Sequence, residues 1–418
     1  MKLGDWKFCL LLFQLMFLTN VCLSDLSFNP YKWPVNQLRR VIGAVKVTNT
    51  SNYFGFSLYE NLNSNGNVFI SPYSLASVMA MLYLGARGVT KNEMDLTLGY
   101  NSVNLNSEDL VLGFQQSLLL LNAESKEYQL ETANSLMIQN TFNILDNYKR
   151  MLEDKFGANV QDVDFINKAE LVQRYINAWV AFKTKNKIPI LLNEPLKPET
   201  RLAFFNAVYF KGVWETKFDS ALTRRATFYN NGYVPTQVPM MMLRGIFPFA
   251  YVSSLRSYVL ELPYKGHEVS MLLLLPKDRN GISDLERDLS SSSLDSVTSN
   301  LREIGVLVTI PKFKLEETYE DDLKQSLESM GMTSLFSEAN ANLEGITGHR
   351  DLFVTKITHR TLIEVNEEGT EASGISSVVA GVRSGWKRPT FTADHPFVFF
   401  IRHNRSGIIL FMGRVSQL

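Results

Sequence analysis

The reading of this chain turns on one stretch, Glu367-Glu368-Gly369-Thr370-Glu371-Ala372-Ser373-Gly374-Ile375-Ser376-Ser377-Val378-Val379-Ala380-Gly381-Val382-Arg383-Ser384-Gly385-Trp386-Lys387-Arg388-Pro389-Thr390. It is rich in Gly, Ser and Ala, and too long for an ordinary turn, so it is either functional or a surface excursion. Its alternation favours function. Thr370, Ala372, Gly374, Ser376, Val378 and Ala380 form one face of an extended chain, and every member is small or β-branched. Glu371, Ser373, Ile375 and Ser377 form the other, mostly polar face. Period-two segregation is the mark of a strand with one buried side. From Glu367 to Arg383 such a strand would extend roughly 50 Å, enough to cross a whole sheet.

On either side lie elements able to make such a sheet. Leu38, Ile42, Val45 and the group Phe56, Leu58, Tyr59, Leu62 recur at three to four residues, and Leu75, Val78, Met79, Leu82 follow a Ser71-Pro72 start, so the first third reads as helical. Short apolar runs at 204–210, 270–275 and 306–310 read as strands. At the C-terminus 397–401 and 408–412 flank a polar turn, a buried hairpin signal. Asp284 to Ser299 is serine-rich but carries Leu285, Leu289, Leu294 and Val297, which predicts one surface helix. The class is α+β, helices packed on large, mainly antiparallel sheets. No Pro/Gly-rich hinge, charge block or repeat divides the 418 residues, so a single domain is expected over 25–418.

Residues 1–24 read as a secretory signal. Lys2 and Lys7 precede an apolar core from Phe8 to Leu18, and Cys22 and Ser24 are small residues before a cut after Ser24. The apolar run is short of the ~20 residues a membrane span needs. A secreted protein, released directly or from secretory granules, is therefore expected. Both cysteines, Cys9 and Cys22, lie in this leader, leaving stability to a core that 45% hydrophobic content can supply. The sequons at Asn49 and Asn404 are candidate glycosylation sites on that route. With 42 basic and 42 acidic residues, nothing at whole-chain level points to nucleic acid or a membrane surface. No metal or other cofactor is expected.

Several motifs together resemble those of the serpins. Glu364-Val365-Asn366-Glu367-Glu368-Gly369-Thr370-Glu371-Ala372 is similar to the serpin hinge, and Asp394-His395-Pro396-Phe397-Val398-Phe399-Phe400-Ile401 to the family signature. Gly407 to Val415, Asn67 to Ser74, Asn206 to Trp214 and Leu262-Pro263-Tyr264 also match, in family order, over nearly all of 25–418. The resemblance implies three mainly antiparallel sheets, eight or nine helices and an exposed reactive-centre loop at about 367–390. It also implies a suicide-substrate inhibitor, not an enzyme: a protease cleaves the loop, and the freed loop inserts as a strand and traps the acyl-enzyme.

Family spacing from Glu367 sets the scissile bond at Arg383-Ser384. Arg383 offers a fixed cation to a pocket with a carboxylate at its base, so a trypsin-like serine protease is the expected partner, in a covalent complex formed by a monomer. Lys387-Arg388 is the rival bait, disfavoured by Pro389 and by register. Glu367, Glu368, Gly369, Thr370, Glu371, Ala372, Gly374 and Ser376 would form the hinge. Ser71, Ser74, Asn206 and His359, with Trp214 and Lys312, match a family cluster that controls sheet opening. Lys312 would pair with Glu367. Serine plus histidine suggests a hydrolase on paper, but no Gly-x-Ser-x-Gly elbow surrounds either serine. Ile375 replaces a usual small residue on the face expected to point outward. The 108–130 region lacks a basic stripe, which argues against glycosaminoglycan activation there, and Arg39-Arg40 reads as a solvated face. An Arg-Ser bond resembles those of clotting inhibitors and of arthropod haemolymph cascades, so a coagulation or immune cascade is the expected setting. A non-inhibitory carrier, storage protein or chaperone is the alternative.

Overall fold

A computed structural model of the chain describes residues 35–62, 66–121, 128–289, 291–370 and 389–418. The leader read at 1–24 and residues 371–388 lie outside them, so Glu371, Ala372, Gly374, Ser376, Arg383 and Ser384 do too. The described helices are α1 (Val35–Asn61), α2 (Pro72–Gly85), α3 (Gly88–Thr97), α4 (Ser107–Leu121), α5 (Asp146–Phe156), α6 (Ala169–Lys183), α7 (Ile282–Asp288), α8 (Ser291–Asn300), α9 (Asp321–Ser329) and the single turn α10 (Glu344–Thr347). The serine-rich segment forms two helices, not one. The five-residue step from Leu289 to Leu294 is out of phase with a continuous helix, and the break between α7 and α8 lets Leu285, Leu289, Leu294 and Val297 all be buried.

The described strands form two sheets. One holds nine strands: β1 (Val68–Ile70), β15 (Ile409–Val415), β14 (Phe397–His403), β8 (Val269–Pro276), β7 (Ser257–Pro263), β6 (Val234–Val252), β9 (Arg302–Pro311) and β13 (Thr390–Thr392), with β5 (Arg224–Asn230) also on β6. The third sheet implied by the family resemblance is continuous with this one through the 19-residue β6. Its first part pairs β5, its middle β9 and its last part β7. The C-terminal apolar runs form the antiparallel β14–β15 hairpin, as their alternation with a polar turn predicts.

The other sheet runs β10 (Phe313–Tyr319), β11 (Val354–Val365), β4 (Leu202–Val213), β2 (Tyr128–Gln139) and β3 (Asn159–Val163), with a two-residue strand β12 (Gly369–Thr370) on β4. At its centre β11 and β4 run parallel, while each pairs antiparallel with its other neighbour. Alternate residues of β4 serve different cores. Phe204, Val208 and Phe210 join the main core with α2, whereas Ala203, Phe205, Ala207 and Tyr209 pack with Val172, Ile176 and Val180 of α6. α2 begins with Pro72, whose missing N–H costs nothing at a first helical position. It is apolar nearly all round and almost wholly buried behind the sheet.

Candidate functional site

The chain reverses where β11 ends. Asn366 N–H donates to Gly369 O (2.9 Å) and Gly369 N–H donates back to Asn366 O (3.2 Å), turning the backbone over Glu367 and Glu368. Gly369 and Thr370 then pair antiparallel with Val213 and Gly212 at the top of β4. Only glycine fits at 369. Its φ is +142°, and a Cβ would lie 2.1 Å from Gly212 O. Gly212 is constrained as well, because a Cβ there would meet Tyr264 at 2.6 Å.

The reversal is held from both sides. Trp214 stacks on Tyr264 (4.5 Å between centroids) and donates its indole N–H to Asn366 O at 3.0 Å. Trp214 and Phe218 donate their backbone N–H groups to Glu368 O and Glu367 O. The Glu367 carboxylate accepts from Thr223 Oγ1 (2.8 Å) and from Lys312 Nζ (3.1 Å), the pair that the family resemblance implies. Partial burial pushes its pKa up, but its own backbone N–H, Thr223 and Lys312 together outweigh this and hold it below the usual range. Lys217 pairs with Glu368 at 2.5 Å.

Lower down, Asn134 on β2, Asn206 on β4 and His359 on β11 stand side by side across three adjacent strands. Asn206 Nδ2 donates to Ser74 Oγ (2.6 Å) and to Asn134 Oδ1 (2.5 Å), and Asn206 Oδ1 lies 2.5 Å from His359 Nδ1. The Ser71 backbone N–H points at His359 Nε2 (3.1 Å). A backbone N–H can only donate, so Nε2 is the acceptor and Nδ1 carries the proton given to Asn206. These serines and His359 do not form a nucleophile–base pair. Ser71 Oγ donates to Leu410 O, Ser74 Oγ accepts from Asn206, and neither hydroxyl meets the imidazole.

Ser71, Ser74, Asn206 and His359 are thus brought together, as the resemblance implies. Trp214 and Lys312 are not part of that row. Trp214 lies eight residues farther along from Asn206, about 26 Å at strand rise, and belongs with Glu367 at the hinge. Sequence reading missed Asn134, Thr223 and Lys217, and met Tyr264 only as part of the Leu262-Pro263-Tyr264 motif, without a role. Asn134 becomes visible only once the β2–β4 register puts it level with Asn206. Arg39 is engaged by Glu108 (2.9 Å) and Asp109 (2.7 Å) of α4, whose residues include no lysine or arginine.

Residues 49–418 match the family described as Serpin (serine protease inhibitor). This chain belongs to the serpin family. It is 42% identical over 369 residues to Intracellular coagulation inhibitor 2 of Tachypleus tridentatus, covering 88% of this chain and 90% of that relative. It is 39% identical over 382 residues to human Leukocyte elastase inhibitor, covering 89% and 99%. The crystal structure of Serpin48 from the insect Tenebrio molitor superposes with a TM-score of 0.77 at 30% identity, covering 89% and 98%. One expectation is overturned. This serpin was expected to be secreted, but a relative of 42% identity over nearly its whole length is named intracellular. The glycosylation reading of Asn49 and Asn404 loses its basis with the secretory route. The Asn404 amide, moreover, donates to His267 O and Ser270 Oγ.

The polar row makes a pH prediction. Burial lowers the pKa of His359 from the ordinary 6.5 to about 3. Between those values the unfolded chain binds a proton that the folded chain refuses. Stability is therefore complete above pH 6.5 and falls as pH drops toward 3. Between pH 7.5 and 5 the loss from His359 is on the order of 2 kcal/mol. His403, lowered to about 4 by burial and then by Arg405 and Arg402, adds a similar term. Urea-unfolding midpoints of wild type should fall over this range, and the slope should be markedly shallower in His359→Leu. Equal slopes would show that His359 is not the titrating group.

Proposed function

We propose that this serpin inhibits trypsin-like serine proteases by presenting Arg383-Ser384 and trapping the acyl-enzyme when residues 370–380 enter between β4 and β11. The protease serine attacks the Arg383 carbonyl carbon, the Arg383–Ser384 C–N bond breaks, the Ser384 amine leaves with a proton, and Arg383 remains as an ester. The observation that carries this reading is a closure of registers. Thr370 opposes Gly212, and one step down β4 for each step along the loop brings position 376 opposite Asn206. The same count against β11, begun from the Asn366–Gly369 bridge, brings position 376 opposite His359. Asn206 and His359 are already partners across the β4–β11 pair. A strand continuing from Thr370 therefore needs no slip on either side down to Ala203 and Lys356, below which the β4–β11 register shifts by one residue.

The chemistry of this track supports entry. Even-numbered positions from 370 to 380 fall on the core-facing side of β4 with Phe204, Val208 and Phe210, and small or β-branched residues are the least costly to add to a close-packed core. Odd positions from 373 to 379 fall under α6, so the side expected to be outward for Ile375 is covered ground, level with Ala207, whereas 371 lies above it, level with Lys211. Entry replaces one parallel pairing with two antiparallel ones, which are somewhat stronger per residue. It also splits the His359–Asn206 bond. The Ser376 hydroxyl, arriving between them, can accept from His359 Nδ1–H and donate to Asn206 Oδ1, so that neither buried group is orphaned.

Arg383→Ala should abolish inhibition of trypsin while leaving the thermal midpoint unchanged. Undiminished inhibition would move the bait to Lys387. Thr370→Arg should turn the inhibitor into a substrate, since a charge on the core side faces a desolvation penalty of several kcal/mol. An insertion barrier only ~1.4 kcal/mol higher slows trapping tenfold against deacylation. Glu371→Arg, on the other face, should be much milder. Counting stable complex against cleaved product for the two variants decides the matter, and like behaviour would refute the alternating faces.

A further inference from the structure

α3 starts without a cap. Arg87 stands at its N-cap position, where Ser, Thr, Asp or Asn would satisfy the first N–H groups, and its side chain makes no capping hydrogen bond. The ladder begins with Lys91 N–H to Arg87 O (3.3 Å), so the N–H groups of Gly88, Val89 and Thr90 have no acceptor among the described residues. Gly88 has a φ of +53°. A left-handed residue ahead of a helical one turns successive N–H groups toward one point, a concavity suited to anions. Gly88 and Val89 line a cavity of about 580 Å³, and Asn342 and Arg350 line it with them.

A second, independent group points to the same occupant. Asn342 is only 9% exposed, and its Oδ1 accepts from the Glu344 N–H (3.2 Å), which fixes the orientation of the amide. Its Nδ2 stands against Gly88, where a Cβ would lie 3.6 Å from it, and has no acceptor among the described residues. Donors left unmet on so buried a side chain call for a partner in the cavity. Glu93, the acidic residue of the lining, has no free oxygen to offer a cation. Its Oε2 accepts from the Ser334 N–H and hydroxyl, at 2.8 Å each, and its Oε1 from Thr333 Oγ1 at 3.4 Å. Arg350 has no carboxylate within ion-pair distance among the described residues. The unmet groups are donors, and one of them is a cation. We propose that this cavity binds a tetrahedral oxyanion, a phosphate or sulfate group, held by the α3 N-terminus, the Asn342 amide and the Arg350 guanidinium. None of these residues belongs to the hinge or the seam, so the site stands apart from the inhibitory reading. An anion there would tie α3 to the segment that leads into β11.

The test is equilibrium dialysis of the full chain against labelled inorganic phosphate at constant ionic strength. Wild type should bind phosphate saturably. Arg350→Ala should weaken binding about tenfold, the scale of a charge-assisted hydrogen bond. Val89→Glu should abolish binding yet keep the thermal midpoint at or above that of wild type, because a carboxylate in the first turn suits the helix dipole and takes the same N–H groups. A merely structural role for the helix start predicts no such split. Asn342→Asp keeps the acceptor for Glu344 and replaces the donor, so it too should abolish binding. Arg224→Ala, on β5, should stay within about twofold of wild type, since screening removes a distant charge. A parallel arm with a monosulfated disaccharide separates the two sources of the oxyanion, and the tighter probe marks the class the site takes. No saturable binding of either probe, binding that Val89→Glu leaves intact, or equal losses in Arg224→Ala and Arg350→Ala would overturn the site.

Discussion

β4 and β11 are parallel neighbours in the middle of a sheet whose flanking pairs at that point are antiparallel, and the chain leaving β11 turns back toward the seam between them. Parallel pairing is the weaker kind, and it leaves room in topology for one antiparallel strand between the two. Across the seam at mid-height, beside the backbone ladder, runs a buried hydrogen bond, His359 Nδ1–H to Asn206 Oδ1, backed by Ser71, Ser74 and Asn134. Such a network is strong while complete and costly when half broken. In the proposed reaction it must break for the seam to open, and it admits only a strand that can re-satisfy it.

In the proposed reaction the turn at Asn366–Gly369 sets the register of that strand before any cleavage. Gly369 has to be glycine, because it lies against the Gly212 carbonyl with positive φ. Trp214, Thr223, Lys217 and Lys312 then fix the turn through Asn366, Glu367 and Glu368. One residue of slip would exchange the core-facing and α6-facing sides of the whole incoming strand.

Much of this was legible in the residues. The paired apolar runs at the C-terminus become the β14–β15 hairpin, while the alternation from Thr370 to Ala380 underlies only the proposed insertion, since 371–380 lie outside the described residues. Motif order gave the family, and with it Ser71, Ser74, Asn206 and His359 as one cluster. Registers were not legible, because period-two patterns specify a face and not a partner. That is why Asn134 escaped notice and Trp214 was grouped with the wrong end of the seam. The serine-rich segment misled because four buried apolar residues at mixed spacing fit one broken helix track as well as one continuous one. The leader reading inferred a destination from a basic start, a short apolar core and small residues before Asp25, and a relative named intracellular contradicts it.

The account is tested most directly by a crystal structure of the chain cleaved at Arg383-Ser384. It predicts Ser376 level with Asn206 and His359, the backbones of these two now two strand spacings apart, about 9.6 Å instead of ~4.8 Å. Asn206 and His359 still directly hydrogen-bonded after cleavage, or any residue other than Ser376 between them, would contradict it.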